Sequence, residues 1–311
     1  MLEKIPAARG RSDTEIDSVF VWLTSLVPPT GLGASGQQVF QQMLGNPGKA
    51  SYSTAVELAG LAKTSVSSVT RLAQRLGFGG WPDLQREVRV RHLAHLSVLE
   101  VADIHGVDDT PFQASVRQDL ASLATSLQNL NEEQVVRIAG VLAAAENIYV
   151  TAQGSYAAVG HSLVHNIRIA GYPARELLDN DVSISNLIAQ IGHKDVLIVC
   201  SYWRLYDVAV TAAAEAHARG ATVIVIADNI SPVLYKSADE VLLVPAEGSS
   251  FFPSLTAAMS VQQGIVSTLA RLDPDRTRKS LIAVENSWQA FHLLHRSVPR
   301  ITPDAQPGST S

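Results

Sequence analysis

Cysteine is nearly absent from this sequence, which has one, Cys200, among 311 residues. A single thiol excludes an intrachain disulfide framework and is typical of a protein that folds in a reducing compartment. The N-terminus lacks a basic segment followed by an apolar run, so we expect no signal peptide. No stretch approaches the roughly 18 uninterrupted apolar residues of a membrane helix. We therefore expect a cytoplasmic protein that has no membrane partner.

Charged residues are also few, at 17%, and the formal net charge of -5 does not by itself indicate nucleic-acid binding. The distribution of charge is more informative than its sum. Residues 1–100 contain ten Lys and Arg against eight Asp and Glu, whereas the remaining residues contain fourteen against twenty-one. The basic excess is therefore confined to the N-terminal third of the chain, which permits DNA binding there.

The apolar residues, 46% of the chain, divide it into two parts with different periodicity. From Gly36 to His105 they recur with a helical period, and β-rich runs occur only after Asn147. A length of 311 residues also suits two domains of about 150 residues each. We predict an all-α domain, a linker with a helix, an α/β domain and a disordered tail, over residues 1–105, 106–134, 135–298 and 299–311, respectively.

A polar turn ends at Thr110 and Pro111, which are suited to the N-cap and the first position of a helix. The segment that follows has six large apolar residues at helical spacing: Phe112, Val116, Leu120, Leu123, Leu127 and Leu130. This spacing predicts that the six side chains share one face of the helix.

Short β-rich runs alternate with helical patterns in the second half of the chain. The five runs are Ile148–Thr151, Ala174–Leu178, Val196–Cys200, Thr222–Ala227 and Val241–Val244. Such alternation predicts right-handed βαβ units and a parallel sheet. We therefore expect a five-stranded parallel sheet of flavodoxin-like strand order, with helices on both faces.

Two short helices joined by a tight connection are predicted within residues 36–105. The first, Thr54–Ala62, is predicted to bury Val56, Leu58, Ala59 and Leu61, and the second, Ser65–Leu76, to bury Val66, Val69, Leu72, Ala73 and Leu76. Small hydroxyl side chains near a helix N-terminus can approach base edges or phosphates, and an arginine one turn later can reach guanine. We therefore predict a helix-turn-helix whose DNA-binding residues are Thr64, Ser65, Ser67, Ser68, Thr70, Arg71, Gln74 and Arg75. The alternative is a plain helical hairpin whose polar face meets only water.

Several short segments here resemble the DNA reader of RpiR-type regulators. They are Glu57-Leu58-Ala59, Ser65, Ser68-Val69-Thr70-Arg71 and the run from Leu76 to Leu84. The family pattern has Thr, Val and Tyr or Phe where this sequence has Ser68, Thr64 and Trp81. The resemblance implies a double-stranded DNA operator as partner. Because paired recognition helices read successive half-sites, we also expect a homodimer.

A candidate effector site follows from the predicted strand order. Ligands of open parallel sheets bind beyond the carboxyl ends of the strands, where the strand order reverses, here between the first and third strands. The residues expected to line this crevice are Gln153, Gly154, Ser155, Tyr156, Ser201, Tyr202 and Arg204. Gly154 and Ser155 would offer donors to an anion, and Arg204 a charged fork for a carboxylate or phosphate. The glycine could equally serve only the turn, the aromatic residues only packing, and Arg204 an ion pair.

The same half of the chain resembles the SIS domain, a phosphosugar-binding fold, over roughly residues 135–270. The segments that carry the resemblance are Gly220–Asp228, Ser231–Leu234 and Ala238-Asp239. In that family a G-x-G-x-S loop and an S-x-S-G-x-T loop bind the sugar phosphate. Here Ser155 comes one position early, and bulky residues follow Ser201. A sugar phosphate, a different anion held by Arg204, and no ligand at all remain alternatives.

Taken together, these patterns predict a DNA-binding transcriptional regulator whose SIS-like half senses a small anionic molecule and shifts operator affinity. We expect no catalytic residue, no metal site and no cofactor. One alternative is a phosphosugar isomerase, for which His161, His165, Glu176 and His193 are available without forming a recognisable constellation. The other is a regulator whose SIS-like half serves only for dimerisation.

Overall fold

The structure is a computed structural model that describes residues 17–95, 110–178, 181–229, 231–250 and 252–293. The tail predicted over residues 299–311, and residues 106–109 of the predicted linker, lie outside the described residues. Within them, an all-α domain precedes an α/β domain, as the sequence predicts. None of the helices in these ranges has the length and apolar content that crossing a membrane requires.

Short helices make up the described part of the N-terminal domain. They are α1 (Asp17–Ser25), α2 (Ala34–Gly45), α3 (Pro47–Tyr52), α4 (Ala55–Leu61), α5 (Val66–Arg75) and α6 (Trp81–His95). Their apolar sides form one core that includes Leu23, Phe40, Met43, Leu72 and Leu84. The indole N–H of Trp81 donates to the Ser53 carbonyl at 3.0 Å, which ties the start of α6 to the residue that follows α3. The domain therefore has its own hydrophobic core.

Helix α7 (Pro111–Asn129) forms as expected, but most of the face that its large apolar residues share points to solvent. Leu123 and Leu130 pack against the core of the α/β domain, whereas four residues are exposed: Phe112 by 79%, Val116 by 44%, Leu120 by 62% and Leu127 by 85%. The side facing the body is made of small buried residues, Ser122 and Ser126, and of Asp119, which accepts from the Thr256 hydroxyl at 2.8 Å. Because small residues permit close packing, the large ones are left on the outer side.

A five-stranded parallel sheet forms the centre of the second domain, in the order β2-β1-β3-β4-β5. The strands are β1 (Ile148–Ala152), β2 (Ala174–Leu177), β3 (Val196–Ser201), β4 (Thr222–Ala227) and β5 (Glu240–Leu243). The helices are α8 (Glu132–Ala144), α9 (Ala157–Ile169), α10 (Asp181–Ile188), α11 (Asp207–Ala218), α12 (Pro232–Tyr235), α13 (Thr256–Leu272) and α14 (Pro274–Ala290). The predicted flavodoxin-like order is confirmed, and the order reverses between β1 and β3.

The central strands β1, β3 and β4 are buried on both faces, whereas the edge strands β2 and β5 are partly exposed. Val150 and Ile198 belong to the core with α8, α9 and α13, whereas their neighbours Tyr149 and Leu197 belong to the core with α10 and α11. Cys200 is buried in β3, and burial raises the pKa of its thiol to about 12. At neutral pH this thiol is therefore protonated and unreactive.

The close packing of α9 on β1 can be tested with two glycine substitutions. In Gly160→Ala, the new Cβ would lie 3.1 Å from Leu178 Cδ2 and 3.3 Å from Ala152 Cβ. We expect a loss of about 1–3 kcal/mol in unfolding free energy from this overpacking. Gly140→Ala, at an exposed position of α8 with nothing within 4 Å, should instead gain about 0.5–1 kcal/mol. Urea unfolding of both variants measures the difference, and stabilisation by both would contradict this packing.

Candidate functional site

The helix-turn-helix begins with a capping box at Thr54. The Thr54 N–H donates to Glu57 Oε2 at 2.7 Å, and the Glu57 N–H donates to Thr54 Oγ1 at 3.2 Å. The backbone hydrogen bond from Thr54 is the main cause that lowers the pKa of Glu57. After α4 the chain turns through Lys63, whose φ of 51° is in the left-handed region. The Thr64 N–H donates to the Ala59 carbonyl at 2.9 Å, so the turn is tight and hydrogen-bonded.

A serine cap starts the second helix, α5. The Ser65 hydroxyl accepts from the Ser68 N–H at 3.3 Å, and it lies 2.9 Å from the hydroxyls of both Ser67 and Ser68. Val69, Leu72 and Ala73 are buried on the opposite side. The apolar side of α5 is therefore fixed in the domain core, and the rest of the helix faces outward.

Three assignments from the sequence are wrong at the helix starts. Val56 and Val66 were expected in the core, yet they are 67% and 42% exposed. Both lie in the first turn of their helices, where the side chain extends past the core. Ser68 was expected on the polar face, but it is 5% exposed and lines a groove with Gly36 and Leu72. A small side chain fits where α5 approaches α2, which hydrophobicity alone does not reveal.

The two arginines of α5 differ in their contacts. Arg71 Nη2 donates to Ser68 Oγ at 3.3 Å, and the residue remains exposed. Arg75 donates from Nε to the Gly31 carbonyl and from Nη2 to the Thr30 hydroxyl, both at 2.9 Å. Arg75 therefore holds the segment before α2 against α5.

The other predicted DNA-binding residues of this segment differ in their exposure to solvent. Thr64 and Thr70 are partly buried, and the Thr70 hydroxyl donates to the Val66 carbonyl at 3.4 Å. The exposed predicted residues of this face are Ser65, Ser67, Arg71, Gln74 and Arg75. The structure thus brings an exposed polar and basic surface together along one side of α5.

In the second domain, loops after β1, β3 and β4 meet at the carboxyl edge of the sheet. The Trp203 N–H lies 3.0 and 3.1 Å from the two carboxylate oxygens of Asp228, which accept from it. The Arg204 N–H donates to Tyr156 Oη at 3.3 Å. Gly154 has a φ of +60°, and a Cβ there would lie 2.9 Å from Tyr206 Oη. The loops expected to form the crevice are therefore in direct contact where the strand order reverses.

Aromatic side chains fill the base of this crevice. The Tyr156 ring packs edge-to-face on Tyr202, with 5.4 Å between centroids, and on Tyr206, at 6.4 Å. Tyr202 is fully buried, and its hydroxyl has no hydrogen-bond partner among the described residues. Burial raises the pKa of the Tyr156 and Tyr202 hydroxyls, so both are protonated at neutral pH.

The predicted effector-binding residues are therefore not equally accessible. Tyr156, Ser201 and Tyr202 are buried, whereas Gly154 and Ser155 are exposed and Gln153 and Arg204 are partly buried. Gln153 Nε2 donates to the Thr151 hydroxyl at 2.9 Å. Gly154, Ser155 and Arg204 remain candidates for contact with a ligand, and the tyrosines support them from beneath.

Asp228 is a crevice residue that the sequence interpretation missed. It directly follows β4, so its side chain comes to the same edge as the loops after β1 and β3, and this position is the signal that could have found it. Burial is the main cause that raises the pKa of the Asp228 carboxyl to about 7, and the negative charge of Glu247 adds to it. The charge of the crevice therefore changes near neutral pH.

These features define a two-domain protein, in which a helix-turn-helix precedes an α/β domain that has a crevice at the carboxyl edge of its sheet. Residues 28–102 match the family model of the rpiR-family helix-turn-helix domain, and residues 141–267 match that of the SIS domain. The chain thus has the domain composition of RpiR-type transcriptional regulators.

Known proteins of similar sequence or fold include a regulator and two solved structures. The HTH-type transcriptional regulator YfhH of Escherichia coli K12 is 25% identical to this chain over 177 residues. The aligned part is 55% of this chain and 62% of YfhH, so less than two thirds of YfhH is covered. The NanR protein of Vibrio vulnificus, solved with ManNAc-6P, superposes with a TM-score of 0.55 at 19% identity, over 88% of this chain and 99% of that one. The sugar isomerase domain of an RpiR transcription factor from Sphaerobacter thermophilus superposes with a TM-score of 0.54 at 24% identity. This superposition covers 58% of this chain and 99% of that domain. The two structures support the fold.

The raised pKa of Asp228 leads to a prediction for the pH dependence of stability. Between about pH 4 and pH 7 the Asp228 carboxyl is ionised in the unfolded chain and still protonated in the folded protein. The free energy of unfolding therefore falls as the pH rises through this range. Asp228→Asn keeps an acceptor for the Trp203 N–H and removes the titration. We expect the melting temperature of Asp228→Asn to rise relative to the unmodified protein from pH 5 to pH 8. A difference that does not change with pH would contradict the shift.

Proposed function

We propose that this protein is a transcriptional regulator that binds a DNA operator through α5 and responds to a small anion in its SIS-domain crevice. The observation that carries the DNA-binding part is the exposed side of α5, where Ser67, Arg71 and Gln74 stand opposite a fully buried apolar side. A helix anchored in this way can enter the major groove without unfolding, and arginine is the side chain best suited to guanine. Such a regulator acts on DNA in the cytoplasm.

The DNA-binding part is tested by comparing Arg71→Ala with Arg86→Ala on DNA selected from a random pool. We expect Arg71→Ala to weaken binding about 5- to 150-fold, the effect of losing one base-directed arginine. Arg86→Ala removes the same charge from α6, where Arg86 pairs with Asp83 at 2.8 Å, and should have a much smaller effect.

Binding of the unmodified protein should also weaken steeply with salt, as phosphate contacts require. Equal losses for Arg71→Ala and Arg86→Ala would show that α5 is not the reading helix.

The proposed effector is an anion, and a sugar phosphate is the first to test. Gly154, with its positive φ, and Ser155 offer donors at the start of the short helix before α9, and Arg204 lies in the facing loop. The NanR structure contains ManNAc-6P, which supports the same class of ligand here. Bulky side chains at Tyr202 and Tyr206 favour a crevice of different shape from the family's hydroxyl-rich loop.

We propose that the crevice binds its ligand without converting it. The clearest acid–base pair among the candidates is His161 Nδ1 with Glu176 Oε1, at 3.1 Å. Glu176 lies within β2 and His161 on the exposed surface of α9, so neither belongs to the loops that form the crevice. His193 precedes β3 and is therefore at the opposite edge of the sheet. General acid–base catalysis needs these groups within reach of the bound substrate.

One charged contact joins the two domains and supports coupling between effector and DNA. Arg89 Nη1 of α6 lies 2.9 Å from Glu247 Oε2, in the loop after β5, and Arg89 Nε donates to the Ser51 carbonyl at 2.8 Å. The same guanidinium lies 4.6 Å from the ring centroid of Tyr52. In addition to burial, the charge of Glu247 raises the pKa of Asp228, so we propose that this contact links the crevice with α6.

The exposed stripe on α7 supports a homodimer. Phe112, Val116, Leu120 and Leu127 repeat at spacings of four, four and seven residues and extend about 22 Å along the helix. Four large apolar side chains are thus exposed along one side of the helix, and exposed apolar patches commonly mark protein–protein interfaces. A two-fold axis would place the stripe against its own copy, as a regulator reading two half-sites requires. We propose that a second copy of this chain covers it.

The dimer is tested with Leu120→Glu, which places a charge in the middle of the stripe. We expect sedimentation analysis to show a dimer for the unmodified protein and a monomer for this variant, because an unpaired charge cannot be buried at low cost. Val56→Glu puts the same charge on another exposed apolar residue, on α4, and should leave the dimer intact. A dimer that survives Leu120→Glu would contradict the proposed interface.

A further inference from the structure

The first turn of α5 exposes a valine in a surface that is otherwise polar. Val66 is 42% exposed between Ser65 and Ser67, and it contributes nothing to the buried core of the domain. Its side chain stands on the part of the helix that would enter a DNA groove first, since the N-terminal residues of a recognition helix contact base edges. An exposed β-branched apolar residue at this point has no evident packing role.

The polar groups around Val66 are engaged with one another. The Ser65 hydroxyl caps the helix and contacts the hydroxyls of Ser67 and Ser68, and the Thr70 hydroxyl donates to the Val66 carbonyl. The hydroxyls beside Val66 therefore each have a partner within the helix. The isopropyl group of Val66 is the main apolar group that faces outward from this turn.

In the major groove, the C5-methyl group of thymine is the apolar feature that distinguishes one base from the others. We propose that Val66 contacts a thymine methyl group in each operator half-site and thereby specifies an A·T base pair. Five residues separate Val66 from Arg71, which is about 7.5 Å along the helix, so this thymine should lie within about three base pairs of the base that Arg71 contacts. The inference rests on the proposed DNA-binding function.

Val56 provides a matched control. It is an exposed valine in the first turn of α4, but the first helix of a helix-turn-helix crosses the DNA backbone rather than entering the groove. Val56→Ala and Val66→Ala remove the same two methyl groups from exposed positions. Both variants should therefore melt at the temperature of the unmodified protein, and only Val66→Ala should lose a base contact.

The experiment uses DNA selected by the full-length protein, in which each thymine is replaced in turn by deoxyuridine, which lacks only the methyl group. We expect one thymine per half-site whose replacement weakens binding of the unmodified protein and of Val56→Ala about 3- to 10-fold. Val66→Ala should bind the thymine site more weakly and be insensitive to that replacement, so that the two losses are not additive.

The outcomes separate this inference from the function on which it rests. If binding depends on Arg71 but no thymine methyl matters, or if Val66→Ala remains as sensitive as the unmodified protein at every thymine, Val66 does not read thymine and the regulator proposal stands. If the protein selects no DNA at all, both are overturned.

Discussion

The burial of one side of α5 in the N-terminal core is the constraint on which the DNA-binding surface depends. Val69, Leu72 and Ala73 are almost completely removed from water, so rotating the helix would expose several apolar side chains at about 1.5–3 kcal/mol for each large one. Capping by Thr54 and Ser65 and the tight turn at Lys63 then fix where the helix begins. The outward side is thereby defined without any contribution from DNA, which means that the reader is preorganised.

The second domain depends on a comparable constraint at the carboxyl edge of its sheet. Strand order places the loops after β1, β3 and β4 together, and the hydrogen bond from the Trp203 N–H to Asp228 holds two of them. Buried tyrosines support these loops, so the groups proposed to meet a ligand are held in place before it binds. The ion pair between Arg89 and Glu247 connects this edge with α6. This ion pair therefore connects the domain proposed to bind DNA with the domain proposed to bind the effector.

Much of this architecture is predictable from sequence because strong periodicity determines it. The five strands, their order and the helix-turn-helix were all predicted, because β1, β3 and β4 are predominantly apolar runs and strand and helix patterns alternate along the second half of the chain. Helix starts and helix faces were less predictable. Val66 is exposed and Ser68 is buried, the reverse of the expectation. At a helix end, the position of a residue relative to the core decides its burial more than its polarity does. Asp228 was missed because its environment depends on residues distant in the chain, such as Trp203, which is 25 residues away.

The outward orientation of α5 toward DNA is tested most directly by chemical modification of a thiol placed on it. Cys200 is buried and protonated, so a thiol introduced by Ser67→Cys would be the reactive one, and Ser287→Cys on α14 provides an exposed control. The rate of alkylation is measured with and without selected DNA. We expect DNA to slow the modification of Ser67→Cys strongly and to leave that of Ser287→Cys unchanged. Equal protection of both thiols, or of neither, would contradict the assignment of α5 as the DNA-reading helix.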